Sequence, residues 1–138
     1  MCIRDRRTTD DRTFVGAFQA IDRAIINPLF MLWFFGTLVF ACAAAALLGG
    51  EGAVLPWIIV ALVLYLAVIV ITMAVNVPLN DAIKAAGNPD QIADLAAVRE
   101  RFTEARWAAW NVVRTVLTTA ALGCLAWALV QYGRTVLA

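Results

Sequence analysis

Apolar positions fall into three long runs. Leu29–Leu48 and Val54–Val75 each pass without a charged residue, and a third stretch runs from about Trp107 to Tyr132 with Arg114 inside it. About twenty apolar residues in a helix match the hydrocarbon thickness of a bilayer, and lipid accepts a backbone only when its polar groups are paired internally. The pattern therefore predicts helical spans at about 28–48, 56–80 and 107–132. Residues 9–26 carry a different pattern. Phe14, Ala17, Phe18, Ile21 and Ile25 recur at i, i+3, i+4, i+7 spacing, with Gln19, Asp22 and Arg23 on the other side. Thr9 can cap such a helix, and Asp10 and Asp11 suit the positive end of its dipole. The helix has two placements open to it: along the lipid headgroups, or with Gln19 and Arg23 facing a cavity within the protein.

Residues 81–106 are polar. The helix leaving the second span is expected to reach about Ala86, with Gly87 as a left-handed stop. Asn88-Pro89-Asp90-Gln91 reads as a new start: an N-cap, proline at the first position and glutamine in the capping-box place. Arg99, Glu100, Arg101, Glu104 and Arg106 then form a mixed charged face suited to solvent. At the other boundaries, Asn27-Pro28 separates the amphipathic helix from the first span, and Gly49-Gly50-Glu51-Gly52 is a polar turn. The Ala41–Ala46 tract lets another helix approach closely.

Two places in the spans break the apolar pattern. Asn76 and Asn80, four residues apart on one helix face, flank Pro78, which cannot donate its N–H and presses on the carbonyl of Ala74. Trp107, Trp110, Asn111 and Arg114 stand at i, i+3, i+4 and i+7, so one face carries all four. Arg114 lies about 10 Å along the helix from Trp107. A cation at that depth costs about 2.5–3.5 kcal/mol against lipid, which favours turning it inward over snorkelling to the surface.

Composition sharpens the class. Hydrophobic residues make up 63% of the 138 and charged residues 15%, with a mean hydropathy of +0.82. A soluble domain of that size needs more polar surface, so this is an integral membrane protein. The net charge of +1 points to no nucleic acid partner. Histidine is absent and the carboxylates lie outside the spans, so the chain offers no ligand set for haem or for the usual metal sites, and none is expected. Cys42 and Cys124 sit in apolar runs, where cysteine acts as a small hydrophobe. The leader MCIRDRRT (residues 1–8) has no periodicity and reads as non-native, in front of one membrane domain over 9–138. Basic residues flank the spans at Arg12 and Arg23 and at Lys84, Arg99, Arg101 and Arg106. This puts those segments in the cytoplasm of a bacterial inner membrane, with the Gly49 turn and the C-terminus outside.

NVPLN at 76–80, followed by a polar hairpin and RWAAWNVVR at 106–114, resembles the anthrone oxygenase-like family of small membrane proteins, also called DUF1772. FQAIDRAIINP at 18–28 is similar to that family's first loop and second helix. The resemblance covers roughly Asp10 to Tyr132. It implies an all-α transmembrane four-helix bundle, here with three visible spans and the first apparently missing, which leaves an unfilled helix position and favours a homo-oligomer. It further implies, for some members, oxidation of anthrones to anthraquinones without metal or flavin. Trp107 and Trp110 would then stack on a polycyclic phenol and Arg114 would stabilise its anion. Asn76, Asn80 and Asn111 would position oxygens, with Gln19 and Arg23 as weaker candidates. No general base is obvious in the spans; Asp22 or Asp81 would have to serve. The alternative is a non-catalytic protein, in which the same side chains tie helices together or hold a lipophilic ligand.

Overall fold

The computed structural model describes residues 9–137; the non-native leader expected at residues 1–8 lies outside them. The described residues are mostly helical, without strands. Six α-helices follow one another: α1 (Asp11–Ile25), α2 (Pro28–Leu47), α3 (Leu55–Ile71), α4 (Val77–Ala85), α5 (Leu95–Phe102) and α6 (Glu104–Val136), with a π-helical turn, Thr72–Asn76, between α3 and α4. Three stretches are long and apolar enough to cross a bilayer: Pro28–Leu47, Leu55–Ala85 and Leu95–Val136. At 1.5 Å per residue the 20 residues of α2 reach about 30 Å, one hydrocarbon thickness. The chain divides into two compact units. One, charged, is built from residues 9–27 and 71–112; the other, apolar, from 28–70 and 113–137.

In the charged unit, α1, α4 and α5 pack on one another around Phe14, Val15, Ile83 and Phe102, each at most 1% exposed. Full burial of such side chains contributes about 1.5–3 kcal/mol each. Phe18 meets the Phe102 ring at 4.5 Å and the Trp107 ring edge-on at 5.0 Å. The first half of the apolar stripe of α1 is thus covered by protein, because α4 and α5 present it a matching apolar surface, while Ile21 and Ile25 stay exposed. The cap of α1 is Asp10 rather than Thr9: its carboxylate accepts the Thr13 N–H at 3.0 Å. Hydrogen bonding to Thr13, by its side chain first and its backbone N–H second, holds the Asp10 pKa below its ordinary value of 3.8.

The polar segment departs from its expected course at two points. Asn88 does not start a helix. Its side chain accepts the Asp90 N–H at 3.0 Å, a local turn that competes with helix propagation, and α5 begins only at Leu95, where Asp94 accepts the Ala97 N–H at 2.9 Å. The helix then breaks at Thr103, with φ at 53°. The break takes Arg99 out of the solvated face expected for it. Arg99 instead bonds Asp11 at 3.0 Å and Glu104 at 3.2 Å, with its guanidinium 4.3 Å above the Phe14 ring. Gly87, with φ at 84°, ends the preceding helical stretch as its sequence position implies. Before Pro78 the helix widens into the π turn, where the Val77 N–H bonds to the Thr72 carbonyl. The wider turn relieves the clash between a proline ring and the carbonyl one turn back.

In the apolar unit, Val54, Ile58 and Ala128 form a buried cluster against Ala44, Ala45, Leu48 and Leu62, so part of the alanine tract serves close packing. The Tyr65 hydroxyl of α3 donates to the Phe34 carbonyl of α2 at 2.8 Å. Much of the remaining helix surface is apolar and exposed, including Trp33, Val63 and Leu129, as a lipid-facing surface requires.

Candidate functional site

Two places concentrate chemistry, one in each unit. In the charged unit Asp22 of α1 is the centre, buried at 7% exposure. Asn80 Nδ2 of α4 donates to its Oδ1 at 2.7 Å, and Lys84 Nζ stands 2.9 Å from its Oδ2 and 2.9 Å from Asp81. The Trp107 indole N–H donates to Asn80 Oδ1 at 3.0 Å. Trp107, Asn80, Asp22 and Lys84 form one continuous polar tie between α1, α4 and the start of α6. Lys84 keeps 28% of its side chain exposed, so breaking the pair costs less than the about 3–5 kcal/mol of a fully buried one. A hydrogen-bond donor meets Oδ1 of Asp22 and a cation stands at Oδ2, so both carboxylate oxygens are engaged within the tie.

Gln19 is 2% exposed and donates to the carbonyls of Ile83 at 2.8 Å and Gly87 at 3.0 Å, the end of α4 where carbonyls lack partners within the helix. Arg23 stays exposed. Both line a cavity of about 370 Å³ with Lys84, Gly87, Asn88 and Pro89. Asn76, in the π turn, is 2% exposed, and neither its Nδ2 nor its Oδ1 has a partner among the described residues. Trp110 is 37% exposed and Asn111 half-buried. The structure thus brings together Asn80 and Trp107, with Asp22 and Lys84, and leaves Asn76 by itself. Of the four residues on the α6 face, Trp107, Trp110 and Asn111 belong to the charged unit and Arg114 to the apolar one.

In the apolar unit a cavity of about 380 Å³ lies among α2, α3 and α6. Phe30, Trp33 and Phe34 supply aromatic wall from α2, Tyr65 from α3, and Ala121 and Leu122 apolar wall from α6. That volume lies in the range of about 300–1,000 Å³ that small-molecule sites occupy, and the lining suits a flat aromatic ligand. Three hydroxyls line it as well, and each gives its proton to a helix carbonyl: Tyr65 to Phe34 at 2.8 Å, Thr37 to Trp33 at 2.7 Å and Thr118 to Arg114 at 2.8 Å. Their oxygens keep lone pairs for a ligand and no donor. Arg114 stands one turn before Thr118 in α6, and its Nε is buried without a hydrogen-bond partner among the described residues.

The sequence reading missed this aromatic wall. The one signal available was Tyr65, the only phenol inside the first two spans, together with Thr37 and Thr118 as isolated hydroxyls in apolar runs. Among the described residues no three Cys, Asp or Glu side chains gather as a metal site would.

Neither the curated proteins nor the solved structures contain a match to this chain. The family model of the anthrone oxygenases matches residues 30–124, which takes in α2 and α3, the π turn, α4, α5 and most of α6. That match covers well over half of the sequence, and the chain belongs to the anthrone oxygenase family.

Proposed function

We propose that this membrane protein binds a flat polycyclic phenol of the anthrone class in the aromatic cavity of its apolar unit and promotes its reaction with O₂ without a resident cofactor. The observation that carries this reading is the cavity of about 380 Å³ walled by Phe30, Trp33, Phe34 and Tyr65, in a chain of this family. In the reaction the ring methylene loses two hydrogens. One atom of O₂ becomes the new carbonyl oxygen and the other leaves as water with both hydrogens. The substrate supplies the electrons; the protein holds the rings, excludes water and orients the reacting carbon. The basic segments before α2 and between α4 and α6 face the cytoplasm of a bacterial inner membrane, by the excess of Arg and Lys there.

A second reading is favoured for part of the molecule by a separate observation. The Trp107–Asn80–Asp22–Lys84 tie is bonded within itself, and these residues hold helices rather than substrate.

The test is aerobic oxidation of anthrone by the purified protein in detergent, followed as anthraquinone formed and O₂ consumed. The wild type is expected to exceed protein-free micelles, and Trp33→Ala with Phe34→Ala to abolish the excess. Anthrone oxidised no faster than in empty micelles sinks the oxygenase reading. Anthrone that also fails to quench tryptophan fluorescence sinks the cavity as its site.

A further inference from the structure

The cavity of about 370 Å³ in the charged unit carries charge of one sign. Two cations line it, Arg23 from α1 and Lys84 from α4, beside the loop Gly87-Asn88-Pro89. No carboxylate lines it; Asp22 and Asp81, which hold Lys84, stand outside. Arg23 is exposed and makes no ion pair among the described residues. A basic residue in the last turn of α1 suits the helix dipole. The dipole does not account for a second cation, or for the cavity the two share.

Three side chains of the lining hold unused donors. Arg23 has its whole guanidinium. Lys84 commits two of its three N–H groups to Asp22 and Asp81, each at 2.9 Å, and keeps the third. Asn88 accepts the Asp90 N–H on its Oδ1, which leaves its amide N–H groups to donate. Such a set suits a ligand that only accepts. A phosphate diester is one: it presents acceptor oxygens and one negative charge, and a guanidinium matches its geometry.

Place along the chain selects among phosphates. Lys84 is the last residue but one of the span-length stretch Leu55–Ala85, and Arg23 stands five residues before Pro28, where another such stretch begins. Span ends lie level with lipid headgroups. On α1 itself, Ile21 and Ile25 flank Arg23 and Ile26 follows it, and all three are exposed. Phe14 and Phe18, earlier on the same stripe, have protein cover. Uncovered apolar surface next to a cationic cavity fits a molecule with a charged head and acyl chains.

We propose that this cavity holds the headgroup of an anionic phospholipid, its phosphate diester on Arg23, Lys84 and Asn88 and its acyl chains along Ile21, Ile25 and Ile26. The site is separate from the aromatic cavity of the apolar unit and does not depend on what that cavity binds.

The test is native mass spectrometry of the full chain in neutral detergent at about 0.15 M salt, where distant exposed charges are screened. Dioctanoyl phosphatidylglycerol is compared with dioctanoyl phosphatidylcholine, which has the same chains and no net charge. The glycerol lipid is expected to bind as one molecule per chain, about tenfold or more tightly than the choline lipid. Arg23 is bonded to no other side chain, so Arg23→Gln is expected to fold and to bring the two lipids level. Arg101→Gln makes the same charge change on an exposed residue outside the cavity and is expected to keep the preference within about twofold. Equal binding of the two lipids by the wild type overturns the proposal. So does a preference that survives Arg23→Gln, or one that Arg101→Gln removes as fully. Displacement of the lipid by an equal concentration of glycerol phosphate or of octanoate also overturns it, because the site would then read a small anion or a carboxylate instead of a phospholipid.

Discussion

Asn76 and Asn80 lie one turn apart in the charged unit, and their substitution by leucine is expected to act in opposite directions. Asn80 bonds on both sides, to Asp22 at 2.7 Å and from the Trp107 indole at 3.0 Å. Leucine there strands a carboxylate oxygen and an indole N–H, each costing about 1–3 kcal/mol, so Asn80→Leu is expected to destabilise by about 2–6 kcal/mol. Asn76 is buried and neither of its amide atoms has a partner among the described residues. Leucine of similar shape there removes two unmet polar atoms and is expected to stabilise by about 1–3 kcal/mol, less any strain in the π turn. The assay is unfolding in detergent micelles by added SDS, followed by tryptophan fluorescence and compared with wild type at the same lipid and protein ratio. A loss of stability in Asn76→Leu as large as that in Asn80→Leu would refute the reasoning, because it would mean that the Asn76 amide holds the fold.

Two further outcomes follow from local geometry. Thr103 is a β-branched residue at φ 53°, a conformation that costs an L-residue about 1–2 kcal/mol, so Thr103→Gly is expected to raise stability by about 1 kcal/mol in the same SDS titration; a loss would show that the turn is held by the threonine side chain. The hydrogen bonds from the Thr13 side chain and N–H lower the Asp10 pKa below 3.8, so the folded state favours the carboxylate: its contribution to α1 is complete above 3.8 and is lost as pH falls through the lower folded value. Amide exchange of α1 measured from about pH 5 downward should show that loss, and Asp10→Asn, which caps without titrating, should remove it.

The three spans were legible because lipid forces long uncharged runs, and nothing else in a chain of this size produces Leu29–Leu48 or Val54–Val75. The face of α1 was legible for a similar reason: Phe14 and Phe18 contrast with the polar residues around them. What covers that face was not, since its partners Ile83 and Phe102 lie more than sixty residues on. Asn88 misled because the same side chain serves a helix cap and a two-residue turn, and the choice was made by packing. No glycine or proline marks the break at Thr103. The aromatic cavity was hidden by uniformity. In a helix that is apolar all round, Phe30, Trp33 and Phe34 have no polar neighbours to set off the side that lines the cavity. Asp22 was visible as a spare carboxylate, but its tie to Asn80 spans 58 residues of sequence and left no local trace.

The bond from Gln19 to the Ile83 carbonyl joins residues 64 apart, with α2 and α3 synthesised between them. At about 5–20 residues per second, translation delivers the acceptor roughly 3–13 s after the donor. During that interval Phe14, Val15 and Phe18 have none of their eventual cover, and Gln19 has nothing to grip. The headgroup layer is the one surface at hand that suits an amphipathic helix. The protein cover of Phe14, Val15 and Phe18 is therefore complete only once α4 and α5 have been made, so α1 is expected to gain its protection late.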